Sequence, residues 1–278
     1  MIEHTYTEPV SKLLLLGRPN GEEWLNYIKM GFTREHIPEL IRLLEDKDLR
    51  WMEKPDDMPD AKDEDLTEWY GQIHAWRALA QLKAEEAIPA LLNILQEIDE
   101  YGDDWYGEDS FEVFPMIGPA AIRPLAEYLA DTEHGTWARV AASSSLEKMA
   151  EAHPETKEEC ITAIVSALQS YKDNDESLNG SLISDLMEMN IAREHIGLIE
   201  EAFKADRVDE FIDGDLEDIQ VRLGLIEKRA KPRPRPIWFD EPNRVFTDGN
   251  APKVKASNKK EKNKRKQEKK SRKKNRKR

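Results

Sequence analysis

Ile88-Pro89-Ala90-Leu91-Leu92-Asn93-Ile94-Leu95 decides the fold, because the chain repeats it. Ile37-Pro38-Glu39-Leu40-Ile41-Arg42-Leu43-Leu44 is a close copy, and looser copies centre on Ile122, Ile161 and Ile196, at successive spacings of 51, 34, 39 and 35 residues. Apolar residues fall at i, i+3, i+4 and i+7 in four copies: Ile37, Leu40, Ile41, Leu44; Ile88, Leu91, Leu92, Leu95; Ile122, Leu125, Ala126, Leu129; Ile161, Ile164, Val165, Leu168. That rhythm is the buried stripe of an amphipathic helix. The fifth copy keeps Ile196, Ile199 and Phe203 but places Glu200 where the others are apolar, as expected near a solvent-facing end.

A second helix precedes each copy. Ile73, Trp76, Leu79, Ala80 and Leu82 carry a three-to-four rhythm up to the short turn Lys83-Ala84-Glu85-Glu86. Trp137, Val140, Ala141 and Leu146 do the same up to His153-Pro154, where proline ends the helix. Thr156 and Glu159 have the spacing of a capping box for the helix that follows. Pro38 and Pro89 fall in first turns, where a missing N–H costs little. Strand patterns are nearly absent, so the expected class is all-α. One such pair cannot bury its apolar faces, but a row of pairs can, which predicts an α-solenoid of about five helical hairpins between residues 20 and 206. Thr7 to Gly17 reads as an N-terminal capping helix, with Leu13, Leu14 and Leu16 covering one end of the stack, and Val208 to Ile226 as the C-terminal cap. The repeat domain is therefore expected over residues 7–226.

Charge divides the chain. The 278 residues carry a net −14, yet residues 228–278 hold 22 Lys or Arg against 5 Asp or Glu, a net +17, which leaves −31 for residues 1–227. Lys231-Pro232-Arg233-Pro234-Arg235-Pro236 reads as a polyproline-like linker within 227–252. Residues 253–278 have 16 basic side chains and almost no apolar ones, the composition of a disordered tail. Mean hydropathy is −0.74, and the longest apolar run, Leu13 to Leu16, is far short of the roughly 20 residues that span a bilayer. Met1-Ile2-Glu3-His4 lacks the basic-then-apolar pattern of a secretory signal, so a cytoplasmic protein is expected. A lone cysteine, Cys160, rules out an internal disulfide framework or a Cys-rich zinc module.

The stretch Ile73 to Leu95, with Arg77-Ala78-Leu79, a tight acidic turn and Ala87-Ile88-Pro89-Ala90-Leu91-Leu92, resembles a HEAT repeat of the short bacterial type, also called PBS-lyase-like. Pro119 to Leu125 matches less closely. The body also resembles the DUF1186-like group of bacterial proteins, in which a helical-repeat body is followed by a Pro-rich linker and a small zinc-binding SEC-C segment. Here no cysteine follows Cys160, so that zinc segment is missing and a Lys/Arg tail takes its place. The resemblance implies a HEAT-like solenoid. Its lyase name implies, as an alternative function, a cofactor-handling enzyme of the bilin-lyase kind, although fold likeness does not carry an activity.

Two connections draw attention as candidate sites. Glu45 to Glu68 carries 11 acidic and 4 basic residues and includes Trp51, Asp56 and Asp57. Glu97 to Glu112 carries 8 acidic and no basic residues, and includes Asp103, Asp104, Trp105 and Tyr106. In a solenoid such inter-pair loops share one edge, which here would form an acidic, aromatic rim able to dock a basic protein segment, with Trp105 or Tyr106 as anchors. The bland alternative is a set of solvated loops whose aromatics cover the ends of their own repeats.

Catalytic signatures are poor. No EF-hand register fits Asp56 to Glu68, Asp99 to Glu112 or Asp173 to Gly180. The six histidines form no His-x-x-x-His pair, His36 and His195 read as helix starts, and Cys160 reads as a small buried residue. No catalytic residue, cofactor or metal is assigned. In the tail, Lys259, Lys260, Lys264, Arg265, Lys266, Lys269, Lys270, Arg272, Lys273, Lys274, Arg276, Lys277 and Arg278 suit phosphate contacts with nucleic acid such as RNA. With no aromatic after Phe246, base stacking is unavailable and sequence-specific reading is not expected. The same tail could instead fold onto the acidic body or serve only solubility. The expected function is a monomeric, non-enzymatic scaffold with an unidentified protein partner, a nucleic-acid-binding tail and no membrane association.

Overall fold

The computed structural model describes residues 5–21, 23–49, 63–102 and 104–230. Among them every regular element is helical. Eleven α-helices follow in order: α1 Ile37–Leu44, α2 Gly71–Gln81, α3 Ile88–Tyr101, α4 Asp104–Ile117, α5 Ile122–Ala130, α6 Thr136–Ala152, α7 Lys157–Gln169, α8 Glu176–Glu188, α9 Ile196–Lys204, α10 Glu210–Asp213 and α11 Leu216–Arg222. None is long and apolar enough to cross a membrane. The chain divides into Met1–Ala230 and Lys231–Arg278, and the second of these units lies outside the described residues.

The helices form the two layers of an α-solenoid. α2, α4, α6 and α8 pack side by side in one layer, α1, α3, α5 and α7 in the other, and α1·α2, α3·α4, α5·α6 and α7·α8 close the layers on each other. The repeated stripe does this work. Ile37, Leu40 and Leu44, then Ile88, Leu91 and Leu95, then Ile122, Leu125 and Leu129 are all buried, while the i+4 residues Ile41, Leu92 and Ala126 are half-buried at the layer's outer border. Short 3₁₀ turns, Arg34–His36, Glu85–Ala87, Pro119–Ala121 and Pro154–Thr156, open α1, α3, α5 and α7 in turn. Pro38 and Pro89 lie in first turns, as expected. Cys160 is fully buried between the layers.

Four local expectations are corrected. The first hairpin has no leading helix: a turn at residues 27–31 takes its place, and Tyr27 and Phe32 fill the volume with their rings edge-on at 6.0 Å. The N-terminal cap is a 3₁₀ helix, Val10–Leu15, which still buries Leu13 and half-buries Leu14 and Leu16 against the stack. Thr156 builds no capping box with Glu159, because its hydroxyl donates back to the His153 carbonyl at 2.8 Å. In α6 the buried stripe is Ala138, Ala141, Ala142, Ser145, Leu146 and Met149, one position out of step with Trp137. At the C-terminus α10 lies on α8, and the first unit runs on to Ala230, where Arg229 reaches both Asp215 and Asp218 at 2.6 Å.

Candidate functional site

The acidic stretch Glu97 to Glu112 is helical rather than a loop. Its first part is the end of α3, its second the start of α4, and only Gly102 and residue 103 lie between. Gly102 makes the break, with φ +73°, the left-handed geometry of a helix C-cap. Helical periodicity then turns the acidic side chains in different directions, and two of them, buried Asp109 and exposed Asp99, fasten neighbouring helices.

Asp109 points inward, 5% exposed. Its Oδ2 accepts from Arg77 Nε and from Trp76 Nε1, both at 2.6 Å, and its Oδ1 accepts from Arg77 Nη2 at 2.9 Å. Arg77 also donates to the Asn20 carbonyl at 2.6 Å, and its guanidinium lies 4.7 Å from the Trp24 ring and 5.8 Å from the Trp105 ring. The bidentate pair and the Asn20 carbonyl give each nitrogen of the guanidinium an acceptor, and with the aromatic stacking they allow Arg77 to be buried to 1%. The second fastener is Asp99, whose two oxygens accept from the backbone N–H groups of Trp137 and Ala138 at 3.1 and 2.8 Å. A carboxylate of α3 therefore caps α6, where the aligned peptide dipoles favour negative charge. This bond also brings the α3–α4 and α5–α6 connections to one edge of the solenoid.

The anchors must be reassigned accordingly. Tyr106 is fully buried, its hydroxyl donating to the Leu91 carbonyl at 3.0 Å and its ring 4.9 Å from Trp76, so it belongs to the core and is withdrawn as a docking residue. Trp105 is half-buried, with Arg18 at 5.7 Å over its ring. Trp51, Asp56, Asp57 and Asp103 lie outside the described residues, as do Lys259 to Arg278. Asp104 is the first residue of α4, and its side chain is likewise outside the description. The aromatic that stands out from the edge is Trp137, 51% exposed at the second position of α6, in a segment where Asp131 and Glu133 are exposed. Its place at the start of a helix, ahead of an Ala/Ser stripe, was the available signal.

His74 and Asp185 are buried as well. His74 takes a hydrogen bond from the Tyr27 hydroxyl at Nδ1, 2.7 Å, because its Nε2, 2.9 Å from the Gly17 carbonyl, must carry the proton. Burial lowers its pKa, so the ring is a neutral strut between the N-terminal segment and α2. Asp185 on α8 accepts from Ser143 at 2.5 Å and Ser144 at 3.1 Å on α6. Desolvation pushes its pKa up to about 7, helped by the charge of Glu147, against the opposing pull of the two hydroxyls and of Lys148. Among the described residues no group of three or more His, Cys, Asp or Glu is placed to hold a metal ion.

The arrangement is thus a stack whose units are tied by one buried ion pair, Arg77–Asp109, and by the more exposed Asp99 cap and Arg229 clasp. A family model described as protein of unknown function, DUF1186, matches residues 27–231. The chain belongs to the DUF1186 family. That match contains both fasteners, the clasp and all eleven α-helices, and it ends at the start of the Pro-rich segment, while the Val10–Leu15 cap precedes it. No curated protein and no solved structure matches the chain.

Proposed function

We propose that the DUF1186 body is a HEAT-like, non-enzymatic interaction scaffold in the cytoplasm, engaging a basic protein segment along the edge that carries Trp105 and Trp137 while the Lys/Arg tail attaches to nucleic acid through its phosphates. The carrying observation is the division of charge, −31 over residues 1–227 and +17 over the remainder. Opposite charges of this size within one chain suit two different partners, a cation for the body and a polyanion for the tail. Exposed Trp137, with Asp131 and Glu133 preceding it, supports the docking half, since an aromatic anchor amid carboxylates suits Lys- or Arg-bearing peptides.

The test uses the full chain and a variant whose tail lysines and arginines are replaced by glutamine and serine, titrated with a labelled structured RNA at about 50 and 200 mM salt, where phosphate contacts differ most. Tight, steeply salt-dependent binding by the full chain alone supports the tail's role. Equal binding by both forms, or none, refutes it. A labelled oligolysine peptide read against Trp137→Ala tests the edge in the same way.

A further inference from the structure

Two arginines are buried among the described residues, and they are treated differently. Arg77 is 1% exposed and holds the carboxylate of Asp109. Arg139, on α6, is 6% exposed. Its Nε donates to the Leu129 carbonyl at 2.9 Å and its Nη2 to Asn174 Oδ1 at 3.1 Å. Among the described residues no carboxylate lies within ion-pair distance of it, and no protein acceptor takes Nη1. The Leu129 carbonyl belongs to the last turn of α5, whose dipole offers about half a negative charge. Burial lowers the Arg139 pKa, and the charge of Asp131, beyond ion-pair distance, partly offsets the effect.

Arg139 also forms part of the wall of a cavity of about 440 Å³ between α5, α6 and α7. The rest of that wall is mostly methyl and hydroxyl: Ala126, Ala130, Ala163 and Ala167, with Thr162 and Ser166. The volume falls in the range of small-molecule sites, roughly 300–1,000 Å³, and a mainly apolar wall with one charged group is how such sites orient a ligand. We propose that this cavity binds a small monocarboxylate, its carboxylate against Arg139 and its short carbon chain over the alanines. Exposed Glu159 on the same wall disfavours every anion, and more strongly the higher its charge, which selects monoanions over phosphates and dicarboxylates.

The test is a ligand-observed NMR titration of the full chain with hexanoate, with hexan-1-ol, hexylamine and acetate as controls. Hexanoate is expected to saturate with a Kd at or below about 1 mM, and the matched alcohol to bind at least about ten-fold more weakly, the factor that separates charge recognition from apolar contact. Arg139→Gln should abolish that preference. Because this change removes a buried group and could unfold the chain, Ala163→Leu is measured beside it: it fills the half-buried wall, leaves Arg139 and its hydrogen bonds in place, and should abolish hexanoate binding while circular dichroism stays unchanged. Equal binding of alcohol and acid, no saturable hexanoate signal, or hexanoate binding that survives Ala163→Leu would each overturn the proposal. In the last case acetate binding as well would trace the signal to the basic tail.

Discussion

The carboxylate of Asp99 fills the volume that a side chain at Gly135 would need: a Cβ built on Gly135 meets the Asp99 carboxyl carbon and Oδ2 at 2.2 Å. The Gly135 backbone is ordinary, φ −66° and ψ 159°, so the demand for glycine comes from the neighbouring element and not from its own conformation. Gly135→Ala should therefore cost about 1–3 kcal/mol of unfolding free energy, the usual penalty of overpacking. Asp99→Ala should cost about 1 kcal/mol as a lost helix cap. The double variant should lose much less than the sum, since removing Asp99 makes room for the methyl group, and urea denaturation of the four proteins measures the coupling. Additive losses would show that the two residues do not share this space.

Arg77 and Asp109 behave as one group. Removing either leaves a charge in a site closed by Trp24, Trp76 and Trp105, so Asp109→Ala should lose about 3–5 kcal/mol, well beyond the cost of an exposed ion pair. Replacing both with apolar residues of similar size should recover a large part of that loss. The check is chemical denaturation followed by tryptophan fluorescence, which reports on the same rings.

Asp185 gives the fold a pH dependence of defined sign. Its ordinary pKa of 3.8 rises to about 7 on burial, so the folded chain keeps a proton that the unfolded chain releases. Stability is full below about pH 4 as far as this group is concerned and falls as pH rises to about 7, by up to about 1.4 kcal/mol per pH unit. Asp185→Asn should flatten that decline and raise the melting temperature at pH 8, leaving it little changed at pH 4. An unchanged pH profile in the variant would mean that the carboxyl is ionised in the fold.

Arg229 clasps the start of α11 through Asp215 and Asp218, and its guanidinium, the leading influence on Asp215, lowers that carboxyl's pKa. Arg229→Ala should speed hydrogen exchange in α11 while leaving α2 to α8 unchanged, because the clasp lies at the end of the stack. Uniform loss of protection along the chain would contradict this local role.

What could be read from residues alone was the repeated stripe. Ile88, Leu91 and Leu95 and their copies have strong apolar contrast at a fixed period, which determines both class and layer packing. The α6 stripe reads as running through Trp137 because alanine and serine differ little in polarity from their neighbours, so one large apolar residue outweighs the small buried Ala138, Ala142 and Ser145. The stretch from Glu97 to Glu112 reads as a loop for its charge density, yet charge does not break a helix: the chain turns at left-handed Gly102 and carries Gly107 inside α4. Arg77 was noticed as part of a repeat signature, but its partner Asp109 stands 32 residues away in the next unit, and local periodicity carries no record of such a pairing. The exposure of Trp137 and the burial of Arg139 without an ion-pair partner depend on neighbouring helices and have no mark in the local sequence.

The fastening of Arg77 on α2 to Asp109 on α4 bears on whether the array can be shortened. Solenoids are commonly treated as modular, with units removed or inserted at hairpin boundaries and each neighbour interface replaceable by the next. A fragment beginning after α2 would carry Asp109 into its new end with neither guanidinium nor indole to meet it, and one beginning after α3 would leave the amide groups that open α6 without Asp99. Units of this chain are therefore spliced, each holding a part that its successor requires, and trimmed or permuted versions must carry the missing carboxylate or cation with them to remain folded.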